Sequence, residues 1–302
     1  MIERQEIELA VNDLQMSLVR WRPKNAAVTQ RVLCIHGWLD NAGSFELLAS
    51  ALAAQGYELV APDLAGCGRT SHRSLHGYYN LWDDLIDIEF VVEQLGWESY
   101  VAMGHSRGAG VAALYASTSP VGMRALILLD GVVPPAYPEE TLPEQLRAFI
   151  EERKVALQRN LRQSGPGASR GALNSLEEAW EKRRRLCNLD FEDMRPLLER
   201  ALKPAEIDGK WQWSHDQRLN SRSIYRLAAA DKEAMLAALR LPVLLLIAEE
   251  GRINAVDQTA MQSLLDHAPN LTTKFHAGDH HFHMESSRID SVSSVIMTWL
   301  SN

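Results

Sequence analysis

Residues 101–110 read VAMGHSRGAG, with apolar residues leading in, a serine at the centre and small residues following. The serine, Ser106, stands between Gly104 and Gly108. Gly-x-Ser-x-Gly is typical of a nucleophile elbow, a tight turn from a strand into a helix that presents the hydroxyl above a sheet. The helix that follows would place its N-terminus beneath a developing negative charge. A tight turn that only packs a helix on a strand has the same pattern, so other parts of the chain have to separate the two interpretations.

The composition excludes several classes of protein. The chain has 302 residues and a net charge of -8, which argues against nucleic acid as a partner because phosphate binding needs a basic face. Three cysteines are too few and too dispersed for a disulfide framework or a zinc site. The charged N-terminus does not resemble a signal peptide, and no apolar run is long enough to span a membrane. We expect a soluble, cytoplasmic protein; the sequence does not indicate its oligomeric state.

Short apolar runs alternate with segments that have helical periodicity, which predicts right-handed crossovers and a mostly parallel sheet. Two alternating segments at the N-terminus predict an antiparallel start. The predicted strands cover residues 3–10, 14–21, 31–35, 57–63, 99–103, 125–130, 241–247 and 271–275. After the sixth run, about a hundred residues predict helices near 140–163, 174–187, 190–203 and 221–239. We therefore predict an eight-stranded α/β core, residues 1–132 and 239–302, interrupted by a helical cap, residues 133–238; a separate second domain is the alternative.

A serine hydroxyl becomes a nucleophile when a histidine, itself oriented by a carboxylate, takes its proton. The loops at the carboxyl ends of parallel strands converge on one edge of the sheet, and the expected chain order is Ser, acid, His. After the last predicted strand the chain carries four histidines in eight positions: His276, His280, His281 and His283. We expect His280 to be the base, because it follows Gly278-Asp279, where the loop can bend back over the sheet edge. Metal binding by the four is the weaker alternative, since no cysteine or carboxylate cluster elsewhere has matching ligand spacing.

Two places supply a carboxylate in the required order. Asp130 closes an apolar run directly after the predicted elbow helix, whereas Glu249 and Glu250 end the next core strand. Asp130 could instead cap a turn at Gly131, and the glutamates could lie on a solvated loop edge. We favour Asp130 as the acid and keep Glu250 as the main alternative.

Two backbone N–H groups are expected to form an oxyanion hole, one from the residue after the serine and one from the loop after the first buried strand. These residues are Arg107 and Trp38. Gly37 would let the backbone turn in close to the substrate oxygen, and the Trp38 ring would either fill the core or line the pocket.

Together these motifs resemble the serine hydrolase-like proteins of the α/β-hydrolase superfamily. The matching segments are residues 36–45, 63–68, 104–108, 126–131, 216–219 and 278–284. The resemblance implies an α/β-hydrolase fold with Ser106 as nucleophile and His280 as base. Many members carry the acid in a loop after the strand that follows the cap, where this chain has Gly251; a subset, including some haloalkane dehalogenases, carries it at the place of Asp130. Dehalogenases and epoxide hydrolases use an aspartate nucleophile, so Ser106 disfavours both chemistries.

The predicted function is a serine hydrolase, in particular a carboxylesterase that cleaves small esters through an acyl-enzyme intermediate without a metal or other cofactor. Thioester cleavage, lactone opening and C–C bond hydrolysis use the same machinery and remain alternatives. A protein that binds a small ligand without catalysis is the alternative from another class. Asp216 and Arg218 in the predicted cap would either reach the pocket or brace the cap as an ion pair.

Overall fold

The computed structural model describes residues 1–132, 142–163, 172–205, 209–221, 227–251, 262 and 265–302, without the side chains of 159–163. Within this part of the chain, eight strands form one sheet in the order β1-β2-β4-β3-β5-β6-β9-β10. The strands are β1 Ile2–Val11, β2 Leu14–Pro23, β3 Gln30–Ile35, β4 Tyr57–Pro62, β5 Tyr100–His105, β6 Met123–Leu129, β9 Val243–Ala248 and β10 Leu271–His276. The pairs β1–β2 and β2–β4 are antiparallel and the others are parallel, so the predicted α/β-hydrolase sheet is confirmed.

Helices cover both faces of the sheet. One face packs against α1 Glu46–Ala54 and α8 Ile289–Leu300, the other against α2 Leu81–Leu95, α3 Arg107–Ser117 and α7 Ala229–Ala238. The central strand β5 is buried along its whole length, which explains why its sequence is a continuous apolar run rather than an alternating one. None of the described helices has the length and apolar character needed to cross a membrane.

Between β6 and β9 the chain leaves the sheet, and this segment is called the insert. Its described part contains α4 Leu142–Gln163, α5 Leu176–Arg183, α6 Phe191–Ala201 and α7, in the regions where the sequence predicts helices. It also contains a two-stranded sheet, β7 Leu202–Pro204 and β8 Trp211–Trp213, which the sequence does not predict because three residues are too few to show a period. The insert has a small apolar core of its own around Met194, Leu197 and Leu198.

Two buried arginines attach the insert to the sheet domain. Arg200 of α6 donates through Nε to both carboxylate oxygens of Asp63, which follows β4, at 2.8 Å. Arg183 of α5 is paired with Asp40 in the loop after β3. These contacts seat the insert over the carboxyl ends of the strands. The sequence also predicts a helix around 255–267. Most of that helix and the predicted cap boundary at 133 lie outside the described residues, and the division into core and cap remains a prediction.

Candidate active site

Ser106 occupies the turn between β5 and α3 with φ 53° and ψ -117°. This left-handed conformation is unfavourable for a residue with a side chain and is typical of strained functional positions. The flanking glycines make the turn possible: a Cβ on Gly104 would lie 2.4 Å from the carbonyl oxygen of Gly108, and one on Gly108 would lie 2.1 Å from that of Ile35. The Gly-x-Ser-x-Gly pattern is therefore required by close backbone packing around the serine.

His280 bridges Ser106 and Asp130. Its Nε2 lies 2.8 Å from Ser106 Oγ, and its Nδ1 lies 2.5 Å from Asp130 Oδ2. A carboxylate only accepts hydrogen bonds, so Nδ1–H donates to Asp130 and Nε2 is left to accept the Ser106 hydroxyl proton. His280 and Asp130 are both buried, whereas Ser106 is partly exposed to solvent. The three side chains are thus connected by hydrogen bonds in the order Ser106, His280, Asp130.

The structure places the aspartate, rather than either glutamate, against His280. Asp130 Oδ1 accepts a hydrogen bond from the backbone N–H of Ala248 at 3.1 Å, which fixes the carboxylate plane. Glu249 and Glu250 are exposed at the end of β9. A Cβ on Gly251 would lie 2.5 Å from Asp130 Oδ2, so the carboxylate fills the space that a side chain at 251 would need. The Asp130 carboxylate and a side chain at position 251 cannot both occupy this space, which agrees with the glycine found at 251.

The two residues predicted for the oxyanion hole lie after strands β5 and β3, which are neighbours in the sheet. Arg107 is the first residue of α3, where backbone N–H groups have no partner within the helix. Its guanidinium turns away and pairs with Asp84 of α2. Trp38 follows β3. The residue is 44% exposed, so it does not belong to the core, and its indole N–H donates to the carbonyl oxygen of Leu219 in the insert at 2.9 Å.

A cluster of buried histidines packs against His280. His105, His281 and His283 pack together, with the ring centroids of His105 4.1 Å from His283 and 5.1 Å from His281. His105 Nε2–H donates to the carbonyl oxygen of His280 at 2.8 Å and so anchors the loop that carries His280. Burial holds the pKa of His281 and of His283 well below the ordinary histidine value, and both rings are neutral at pH 7. The sequence also favours His283 and Glu285 as supports for His280. His283 contributes by packing in this cluster, whereas Glu285 pairs with Arg288.

Sequence reasoning missed His105 because it occupies the variable position before the nucleophile. The signal was available: His105 ends a buried strand at the same sheet edge as the other candidates. Asp40 was missed as well, and its Oδ2 lies 3.6 Å from His105 Nδ1. Burial alone would raise the pKa of Asp40, but the neighbouring His105 and the Arg183 guanidinium hold that pKa well below its usual range.

Asp216 and Arg218 form an ion pair that braces the insert. Arg218 donates to Asp216 and to the carbonyl oxygen of Ser74 at 2.6 Å, and the Tyr79 hydroxyl donates to Asp216 at 2.7 Å. Both charged residues are almost completely buried. Of the two roles that the sequence leaves open, the contacts are those of a structural brace.

Comparison with known proteins agrees with this geometry. A family model described as alpha/beta hydrolase fold matches residues 30–287. The chain belongs to the α/β-hydrolase family. It is 29% identical over 283 residues to a serine hydrolase-like protein of Dictyostelium discoideum, covering 88% of this chain and 74% of that one. These similarities support a hydrolase of the serine hydrolase-like group.

Two solved structures share the whole fold. A hypothetical protein from Pseudomonas aeruginosa is 31% identical, with a TM-score of 0.84 over 99% of this chain and 100% of that one. A thioesterase domain from the curacin biosynthetic pathway is 25% identical, with a TM-score of 0.80 over 98% and 99% of the two chains.

Proposed function

We propose that this α/β-hydrolase is a serine carboxylesterase in which Ser106 is the nucleophile, His280 the general base and Asp130 the acid. One observation carries the proposal: His280 reaches Ser106 Oγ with one ring nitrogen and Asp130 with the other. A histidine in this position gives the serine a base and stabilises the imidazolium that forms. A protein that used the pocket only for binding would have no need for a strained serine connected to a buried acid.

In the acylation step, Ser106 Oγ attacks the ester carbonyl carbon while His280 Nε2 takes the hydroxyl proton. The carbonyl oxygen becomes an oxyanion, which the backbone N–H groups of Trp38 and Arg107 stabilise. When the tetrahedral intermediate collapses, the C–O bond to the leaving alcohol breaks and His280 returns the proton to the alcohol oxygen. Asp130 remains ionised and keeps Nδ1–H in place throughout.

Deacylation repeats these steps with water as the nucleophile. His280 Nε2 takes a proton from water as its oxygen attacks the acyl-enzyme carbonyl. The second intermediate then collapses, the bond to Ser106 Oγ breaks, and the proton passes to the serine. The free carboxylic acid leaves and the enzyme returns to its starting state.

The charges around the site favour uncharged substrates. Arg107, next to the nucleophile, is neutralised by Asp84, and Arg183 of the insert is neutralised by Asp40. The buried histidines nearby are neutral. We therefore propose esters with small uncharged acyl groups, bound between the sheet edge and the insert, which serves as the cap.

A fluorophosphonate probe tests the proposal, because it reacts only with an activated serine. We expect one labelled residue, Ser106, and no labelling of Ser106→Ala or His280→Ala. The control is Ser291→Ala, which removes an exposed serine of α8 and should leave the labelling of Ser106 unchanged. A folded wild-type protein that is not labelled would favour the non-catalytic binding protein.

The structural similarity to a thioesterase domain supports thioester cleavage as a second candidate. The two functions differ in the leaving group, so an oxygen ester and a thioester of the same acyl group separate them. A kcat/KM at least tenfold higher for the oxygen ester supports the carboxylesterase, and the reverse preference supports the thioesterase.

A further inference from the structure

Three imidazole rings from two separate segments meet at the carboxyl edge of the sheet. The ring centroids of His105, His280 and His281 are 4.7, 4.9 and 5.1 Å apart. Each residue offers a ring nitrogen, and these three atoms all lie within 4.8 Å of one another. His105 and His280 are separated by 175 residues in sequence, so only the fold brings them together.

This spacing is close to that of a tetrahedral metal site. Zinc–nitrogen bonds of 2.0–2.1 Å put each ring centroid about 3.2 Å from the metal, and the tetrahedral angle then separates the centroids by about 5.2 Å. The ligand nitrogens themselves would be about 3.4 Å apart. The rings therefore already have the right separation, and small rotations would turn their nitrogens toward a common centre.

Two of the candidate nitrogens are buried without a hydrogen-bond partner among the described residues: His105 Nδ1 and His281 Nδ1. Such groups are uncommon in folded proteins and call for a ligand or an ion. His105 has the arrangement found in metal sites, where the ligating histidine donates its other N–H to a backbone carbonyl. Its Nε2–H donates to the carbonyl oxygen of His280, and its Nδ1 faces Asp40 Oδ2 at 3.6 Å, so a metal ion at Nδ1 would lie beside that carboxylate and take the place of a proton.

We propose that His105, His280 and His281 bind a divalent transition-metal ion of the Zn²⁺ type, and that binding switches off the catalytic arrangement. Imidazole nitrogen is a preferred ligand of such ions, and a fourth position remains for water. Both nitrogens of His280 are engaged, Nε2 with Ser106 and Nδ1 with Asp130. Ligation through either one breaks a contact that catalysis needs. Inhibition rests on the proposed function, whereas metal binding does not.

Local charge is compatible with a cation. The Asp40 carboxylate lies 3.6 Å from His105 Nδ1, and Asp130 contacts His280. Arg183 opposes them through its pair with Asp40. Two carboxylates therefore lie beside the three candidate ligands, against one guanidinium.

Binding is tested first in Ser106→Ala, which has no turnover. We expect calorimetric titration with Zn²⁺ to give one site per chain, and Co²⁺ to give the visible absorption of a tetrahedral complex. His281→Ala in this background should weaken the Zn²⁺ Kd by about tenfold or more, and His281→Asn serves as a second variant if alanine impairs folding. His76→Gln, which removes an exposed histidine elsewhere, is the matched control and should leave the Kd unchanged.

Inhibition is tested in the chain with Ser106 intact. Zn²⁺ should abolish hydrolysis of p-nitrophenyl acetate, EDTA should restore it, and His281→Ala should resist Zn²⁺ relative to its own metal-free rate. Equal Zn²⁺ affinity with and without His281 overturns the site. Binding that depends on His281 but leaves hydrolysis unaffected overturns the switch. A chain that hydrolyses no ester contradicts the proposed function, and the calorimetric result still decides on the metal site.

Discussion

Replacing Asp130 by asparagine tests the assignment of the acid most directly. The backbone N–H of Ala248 donates to Oδ1 of the native carboxylate at 3.1 Å. In Asp130→Asn the amide oxygen has to take this position, because an amide NH₂ there would oppose a donor. The NH₂ group then faces His280 Nδ1 and donates to it.

This orientation forces His280 into the wrong tautomer. With Nδ1 accepting, the proton resides on Nε2, which can no longer accept the Ser106 proton. A loss of this kind in serine proteases lowers kcat about 10⁴-fold, equivalent to about 5.4 kcal/mol of transition-state stabilisation. We expect Asp130→Asn to lose about 10³- to 10⁴-fold in kcat with little change in KM.

Initial rates with p-nitrophenyl acetate at pH 8 measure the effect, and fluorophosphonate labelling gives an independent rate for serine activation. Glu250→Gln is the matched control: it removes an exposed carboxylate from the alternative position and should stay within twofold of wild type. If Asp130→Asn keeps more than a tenth of the activity while Glu250→Gln loses it, the tautomer argument is refuted and Glu250 becomes the acid.

Three further predictions concern packing and stability. Gly251→Ala should lower kcat/KM about tenfold, since its Cβ would lie 2.5 Å from Asp130 Oδ2 and displace the carboxylate; near-normal rates would show that the loop yields. Arg218→Met leaves Asp216 buried without its cation and should lower the free energy of unfolding in urea by about 3 kcal/mol; a change under 1 kcal/mol would contradict a bracing role. His283 stays neutral in the fold, whereas the unfolded chain takes up a proton there below about pH 6.5. Stability should therefore fall as the pH drops below 6.5, and His283→Leu should reduce that slope by up to about 1.4 kcal/mol per pH unit; an unchanged slope would refute it.

The parts of the site that lie within one short segment could be predicted from the sequence. The elbow depends on glycines two positions from Ser106, and its close backbone contacts follow from that local pattern. His280 could be placed because the carboxyl ends of parallel strands share an edge. The strand pattern predicts that edge before any contact is known.

Contacts between distant segments could not be predicted. Arg183 is one of many charged residues in the insert, and nothing local distinguishes it as the partner of Asp40. The acid was ambiguous for the same reason, since Asp130 and Glu250 both obey the chain order. What separates them is the volume at Gly251, which exists only after β6 and β9 have packed side by side.

That shared volume leads to a last prediction, in which the acid is moved from one strand to the other. A Cβ at residue 251 would lie 2.5 and 2.7 Å from the two oxygens of Asp130 and 2.6 Å from the Cβ of Ala248. Truncating Asp130 removes the first two contacts, and a shift of residue 251 away from Ala248 would then let a carboxylate carried by 251 occupy the same space. Asp130 has φ 41°, a conformation that glycine adopts without strain, whereas Gly251 lies outside the left-handed region and can accept a side chain.

Asp130→Gly alone should lose about 10³- to 10⁴-fold in kcat, and adding Gly251→Asp should recover about 10- to 100-fold of it. Asp130→Gly with Gly251→Asn is the matched control, because it fills the same volume without a negative charge and should recover nothing. Initial rates and fluorophosphonate labelling again provide the measurement, with circular dichroism to verify folding. A folded double variant that is no faster than Asp130→Gly would mean that His280 depends on the position of Asp130 itself, through its fixed hydrogen bond from Ala248, and not only on a carboxylate in that space.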